Sequence, residues 1–547
     1  MELIDQHTKR IMEGCKERAL DAGLKFDKET LEYMVTNTDM LELSPKNMIP
    51  TLYDFWLQDI QMLRGKGEYE YYPNNPYETV INTRPAISFY NNENPDWLNV
   101  MIFYHVLGHI DFFQNNKFFR QTWDYDFKQK ALTEKRIIAK LRSLYGRKID
   151  YVIEFTKGVD NLVGYFDALG ETEDNSFFKF ADKIDFYFNF FLQKEKIASM
   201  QSFLNEVERY NSLTSSEMMT KDEQFLWKIK AKHPEFEEIY QKYRKEKKSS
   251  TRNDLIMFLM NESKFINTEE NLWMKDVIGI IRDTAIYFSP QIRTKVMNEG
   301  WASYWHEKLF MMDDRIKGNE VGFAKINAKV TSISKVGLNP YAIGWRLFMH
   351  IEDKVNKGRM TYEFDRLNDI EERKKYDSKF NTGRDFIFNV RENYCDQTFI
   401  SSFIEQDFVD KHKLMVVGQR INELKNVKEY YVKSRKAEDY KKMIVGSLFH
   451  PPYIKFETDQ FGTLFLNHIF EGKELYREYI PNTLIGLEYL WGAPVRLETT
   501  EIDWDTIKTL SNDTGAGVDD IKAAHPEVFQ RVLYSTENRK VKKEMIN

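Results

Sequence analysis

The stretch Asn94-Pro95-Asp96-Trp97-Leu98-Asn99-Val100-Met101-Ile102-Phe103-Tyr104-His105-Val106-Leu107-Gly108-His109 decides the fold class. Asn-Pro-Asp is a helix-start signal, with Asp96 suited to the N-cap, and the residues that follow predict one helix running to about Phe119. Its uncharged part, Trp97 to Ile110, is too short to span a bilayer and carries two histidines. Working outward, Thr79-Val80-Ile81-Asn82 and Ala86-Ile87-Ser88-Phe89 read as short strands. Residues 1–43 read as two short amphipathic helical segments, and Leu52 to Leu57 continues that character until Arg64-Gly65-Lys66-Gly67 breaks it. Helical patterning resumes through 130–170 and 180–210. Asn253-Asp254 caps another helix. Ser289-Pro290 opens the one that contains Asn298 to His306, with proline at its first position. The run Lys242 to Ser250 reads as a solvated helix end.

Beyond residue 385 the pattern changes. Strands at 430–433, 453–457, 463–470 and 495–499 alternate with helices at 436–448 and 475–490, the β-α-β-β-α-β order of a ferredoxin-like split unit. The expectation is an α+β protein: a large, mainly helical body over 1–385, an α/β module over 386–500 and a loosely attached polar tail over 501–547.

The 547 residues include 40 Phe, 30 Tyr and 10 Trp but only 25 Gly and 14 Pro, a mix that favours packed helices over repeated turns. Lys and Arg number 79 against 85 Asp and Glu, so no global field attracts nucleic acid or an anionic membrane. Two cysteines, Cys15 and Cys395, cannot build a disulfide framework. Met1 to His7 lacks the charged start and apolar run of a signal peptide. A cytoplasmic chain with no membrane or nucleic-acid partner is expected.

His105 and His109 are four residues apart, so both imidazoles leave one face of a helix at a spacing that suits two ligands of one divalent metal. Glu299 and His306 are seven apart, again on one helical face. A glutamate buried between Met297 and Trp301 is costly unless it is paired or bound to a cation. Asn115, Asn116, Arg293 and Lys295 are candidates for orienting a polar substrate, with helix bracing as the competing reading. Gly337-Leu338-Asn339-Pro340-Tyr341 reads as a turn before a helix, and Arg391-Glu392 as a link to the C-terminal module. His350, His450 and His468 read as satisfied polar or surface residues.

Asn298-Glu299-Gly300-Trp301-Ala302-Ser303-Tyr304-Trp305-His306 closely resembles the signature of the SpoVR family, named for a stage V sporulation protein. The resemblance continues in His105 to Asn116, in Gly337 to Tyr341 and in Phe388-Asn389-Val390-Arg391-Glu392, in the family's order over roughly residues 50–500. It implies a cytoplasmic bacterial protein tied to spore cortex formation, or to stress and stationary phase in non-spore-formers. The partners it implies are a PrkA-type serine kinase and a second co-encoded conserved protein. The same block also looks like the Asn-Glu-Gly-Phe-Ala block of gluzincin aminopeptidases. By that likeness His105, His109 and Glu299 are the ligands of a divalent metal, zinc first, with iron or manganese as alternatives. The sequence departs from gluzincins at Val106, where they carry the general-base glutamate. Three readings follow. Asp111, Glu307 or Tyr304 supplies the base, with His306 as donor, in a metal-dependent hydrolase. Alternatively His306 closes a four-ligand structural site, or a facial triad holds iron. The opposing reading is a non-catalytic regulatory or scaffold protein acting with the kinase.

Overall fold

The computed structural model describes residues 2–36, 78–122, 127–164, 182–188, 191–192, 206, 209–210, 212–213, 221–240, 254–333, 338–422, 427–514 and 518–546. The predicted helix at 52–57 and the charge run at 242–250 lie outside them. Two compact units emerge: Met1–Val163 with Ile256–Asn547, and Gly164–Leu255. The smaller unit contains helices Asp182–Phe186 and Lys221–Lys232 and an aromatic core that includes Phe186, Tyr187, Phe191, Phe225 and Phe236.

The larger unit opens with β1 (Glu2–Leu3), α1 (Gln6–Asp21), β2 (Thr30–Val35), β3 (Glu78–Ile81) and β4 (Ala86–Asn91). The strands form one sheet in the order β1-β2-β4-β3, with β2 parallel to β4 and the other pairs antiparallel. β3 and β4 are the two strands expected from sequence. The second expected helical segment of 1–43 is instead β2. Its Thr-Leu-Glu-Tyr-Met-Val composition fits a pleated surface, and it has a pairing neighbour on each side.

α2 (Asp96–Asn115) follows, and every residue from Leu98 to Phe113 is buried. A helix buried on all faces is the centre of its unit. Pro95 takes the N-cap, and Asp96 sits in the first turn, where its charge favours the helix dipole. Beyond helices Phe127–Tyr145 and Lys148–Lys157, and further along the chain, lie α3 (Trp273–Arg293) and α4 (Lys295–Met311). Pro290 does not open a helix: it lies inside the last turns of α3, and the break falls at Thr294, whose hydroxyl donates to the Pro290 carbonyl at 2.7 Å. The start of α4 is satisfied from elsewhere, because the buried Asp396 carboxylate accepts from the Val296 and Met297 amides at 2.8 Å each. No local sequence signal announces a cap supplied from about a hundred residues away.

α5 (Glu320–Val330) and α6 (Pro340–Asn356) complete the surroundings of α4. Asn339 caps α6 by accepting from the Tyr341 and Ala342 amides, and Pro340 takes the first helical position as predicted. Glycines set how closely these helices approach. A Cβ on Gly300 would stand 2.3 Å from the Gly344 carbonyl carbon, and one on Gly108 would stand 2.8 Å from Ala302 Cα. α4 is therefore in backbone contact with both α2 and α6.

α7 (Gly383–Asn393) and α8 (Asp396–Phe403) add Phe386, Ile387, Val390, Phe399, Ile400 and Phe403 to the same core cluster as α2 and α4. The packing therefore runs straight through the expected boundary at 385. Arg391 is buried against Trp301 and Phe388 rather than linking to a C-terminal module.

β5 (Val416–Asn422) and β6 (Val427–Ser434) form a separate two-stranded sheet, and α9 (Ala437–Ser447) packs Tyr440 and Ile444 into the main core. β7 (Tyr453–Thr458), β8 (Leu464–Ile469), α10 (Ile480–Trp491) and β9 (Val495–Ile502) come next. They are followed by α11 (Trp504–Thr514), α12 (Val518–Ala524), β10 (Phe529–Glu537) and β11 (Lys540–Met545). The five strands order as β11-β10-β9-β8-β7, with only β8 and β9 parallel. The α+β class holds, but this is not the ferredoxin-like order: the strand at 430–433 pairs with β5, outside the five-stranded sheet. Nor is 501–547 a loose tail. β10 alternates buried Val532, Tyr534 and Thr536 with more exposed residues, and β11 is a lysine-rich edge, a usual way of protecting an open strand. Among the described residues, no helix is long and apolar enough to cross a membrane.

Candidate metal centre

α2 presents His105 and His109 one turn apart, their rings 4.6 Å between centroids and nearly perpendicular. α4, drawn close by the Gly108–Ala302 contact, brings Glu299 opposite them. Glu299 Oε2 stands 3.7 Å from His105 Nε2 and 3.5 Å from His109 Nε2. The three ligand atoms lie within 4.8 Å of one another. Both histidines are buried, whereas the glutamate side chain keeps 17% exposure.

The spacing suits a shared cation better than direct hydrogen bonds. Bonds of roughly 2.1 Å to a tetrahedral ion put neighbouring ligand atoms about 3.4 Å apart, close to the two separations seen. The Nδ1 atoms are occupied on the far side of each ring. His109 Nδ1 lies 2.9 Å from Asn298 Oδ1, and His105 Nδ1 lies 2.9 Å from His306 Nδ1. Such outer contacts fix ring orientation and leave Nε2 facing inward.

Electrostatics agree with that arrangement. Burial, with His105 beside it, pushes the His109 imidazole down to about 4, so it is neutral near pH 7 with a lone pair to offer. Burial by itself would raise the Glu299 carboxyl, but the neighbouring His105 and His109 outweigh it and hold the group below its ordinary value. The site thus combines one carboxylate with neutral imidazole, a donor set for zinc or another first-row divalent ion.

His306 is brought to the cluster but not into the ligand set. Its Nδ1 faces His105, its Nε2 lies 3.0 Å from Asn327 Oδ1, and burial drives its pKa down to about 3. It stands behind a ligand rather than beside the ligand atoms.

The remaining candidates are engaged elsewhere. Asp111, two residues past His109, is on another face of α2. It accepts from the Lys25 amide at 2.7 Å and from the Trp301 indole at 2.8 Å, with Arg391 Nε at 3.3 Å. The Tyr304 hydroxyl donates to Glu352 at 2.7 Å. Asn116 Nδ2 donates to the carbonyls of Arg391 and Tyr394, and Asn115 Nδ2 to that of Lys25, so both brace chain ends. Arg293 donates to the Asn161 carbonyl and lies over Phe449. Val106 is fully buried in the hydrophobic core, so the position that carries the gluzincin base points into packing here. His350, His450 and His468 face Asp407, Glu471 and Thr499, and the described ligand cluster includes none of them.

Sequence reasoning passed over Asn298, Asn327 and Asp396. Asn298 had a signal, its place beside Glu299. Asn327 and Asp396 had none, because they reach the centre from other helices.

The sequence profile described as SpoVR like protein matches residues 2–448. The chain is 24% identical over 334 residues to the Escherichia coli (strain K12) "Uncharacterized protein YcgB", a match that covers 58% of each chain. No solved structure matches. With the signature helix, the paired histidines and most of the chain's length all within the matched region, the protein belongs to the SpoVR like family.

Proposed function

We propose that His105, His109 and Glu299 hold one divalent metal ion, zinc first and iron or manganese next, and that the chain is a metal-dependent hydrolase. The observation that carries this reading is the convergence of two Nε2 atoms on one buried carboxylate oxygen at 3.7 and 3.5 Å, with Nδ1 of both rings engaged behind. A cation held there would supply Lewis-acid polarisation and activation of water for cleavage of an amide or related bond. The chain's own contribution is to fix two imidazole lone pairs and one carboxylate. Family membership favours a role in spore cortex formation or in stress and stationary-phase physiology, carried out in the cytoplasm.

A second reading has its own support. Val106 stands where a base would be, and Asp111 and Tyr304 are committed to other partners. These features favour a metal-braced regulatory or scaffold protein acting with a PrkA-type serine kinase and its co-encoded companion.

Elemental analysis of the purified chain beside a His105→Ala/His109→Ala variant tests the metal. About one equivalent in the wild type and a trace in the variant is the expected result, and equal traces in both would overturn it. Glu299→Gln then separates the two readings, since loss of complementation in a folded variant points to chemistry and loss of the fold to bracing.

A further inference from the structure

The hydrogen-bond chain behind His105 has a direction, and a residue outside the ligand set imposes it. Glu307 is half-buried beside His306 and is hydrogen-bonded to the side chains of Asn327 and Trp345. Asn327 turns its Oδ1 toward His306, which leaves its Nδ2, a donor, for Glu307. Its Oδ1 then faces His306 Nε2 at 3.0 Å and accepts from it, so the His306 proton sits on Nε2. His306 Nδ1 is left as an acceptor, and the 2.9 Å contact with His105 Nδ1 requires the proton to be on His105. The outcome is a His105 Nε2 that carries a lone pair and points at Glu299. Were the chain reversed, Nε2 of His105 would carry a proton and have nothing to give a cation.

We propose that Glu307 and Asn327 are positioning residues of the metal centre: they set the proton order Glu307←Asn327←His306←His105, which holds His105 in its ligating tautomer. This rests on the metal reading above. His306 is thereby a link in the chain rather than a fourth ligand or an acid. Outer partners of this kind are worth roughly 10–100-fold in metal affinity.

The test is competition between the full chain and a chelating indicator for Zn²⁺, for the wild type and for Asn327→Leu, Asn327→Asp and Glu307→Gln. Asn327→Leu removes the acceptor and is expected to weaken Zn²⁺ binding by about 10–100-fold. Asn327→Asp keeps an acceptor facing His306 and is expected to restore most of the affinity, which no simple packing role would do. Glu307→Gln, able to donate back to Asn327, is expected to fall between them. In the metal-free chain with ¹⁵N-labelled histidine, His105 is expected as the Nδ1–H tautomer in the wild type and as a mixture in Asn327→Leu. If the wild type binds Zn²⁺ and folded Asn327→Leu and Glu307→Gln bind it equally well, the relay is refuted while the metal reading survives. If the wild type binds none, the metal reading itself fails. Should Asn327→Leu not fold, Glu307→Gln against Asn327→Asp decides: equal affinities overturn the relay.

Discussion

Gly108→Ala probes the contact that lets the two halves of the centre meet. The added Cβ would stand 2.8 Å from Ala302 Cα and 3.3 Å from Ala302 Cβ, where ordinary contact begins at 3.4 Å. Ala302 Cα belongs to the backbone of α4 and cannot rotate away, so α2 and α4 must part by about 0.6 Å, the difference between 3.4 and 2.8. Overpacking of this kind costs about 1–3 kcal/mol, against a helix-propensity gain of about 1 kcal/mol for alanine over glycine. Gly446→Ala, in α9, is the control. A Cβ there meets nothing within 4 Å, so only the gain of about 0.5–1 kcal/mol remains. The two variants should differ by about 2 kcal/mol in unfolding free energy, with Gly108→Ala the less stable. The same displacement carries the Glu299–histidine separations from 3.5 and 3.7 Å to about 4.1–4.3 Å, well above the roughly 3.4 Å between neighbouring ligands of a tetrahedral ion. Thermal unfolding and metal content after dialysis read both effects. A Gly108→Ala protein that melts at or above Gly446→Ala and keeps wild-type metal would refute the claim that this glycine sets the geometry of the centre.

Restoring the gluzincin residue with Val106→Glu should create no base, because that position is fully buried among apolar neighbours. The expected result is destabilisation by about 3 kcal/mol or more with no new peptidase activity, read by denaturant unfolding and a peptide-cleavage assay. Asp313 answers to pH. Burial would raise its carboxyl, but hydrogen bonds from Arg315 and Tyr104 outweigh it and hold the group at about 2 against an ordinary 3.8. Its stabilising contribution is therefore complete above about pH 4 and lost as pH falls toward about 2. Acid unfolding of Asp313→Asn should show a shallower pH dependence over that window. Removing residues 529–547 strips β10 and β11 from β9 and uncovers the face around Val495 and Leu497. Insolubility or loss of cooperative melting is expected, whereas a well-behaved truncated chain would argue that the strands are dispensable.

Much of the centre was legible in the chain itself. The spacing of His105 and His109 placed both rings on one helix face, and a glutamate set among Met297, Gly300 and Trp301 in a helical stretch had to meet a partner. Helix-start chemistry at Asn339-Pro340 was equally local, and so was the strand character of 78–91. These features depend on residues within one or two turns of each other, where backbone geometry alone fixes the outcome.

Whatever depended on distant chain required the tertiary structure. The start of α4 is capped by Asp396, so no neighbouring residue could mark it, and Pro290 was misleading. β10 and β11 carry too many charges to look like core, yet an edge strand and its neighbour need bury only one face. His306 shares a helical face with Glu299, and periodicity made it a ligand candidate. Only the position of Asn327 and His105 on either side of it turned it into a hydrogen-bond link. A sequence sets which groups leave one helix together. Which partner each group meets is decided by how closely helices approach, and here that distance is set by glycines whose Cβ positions are filled by other helices' backbones.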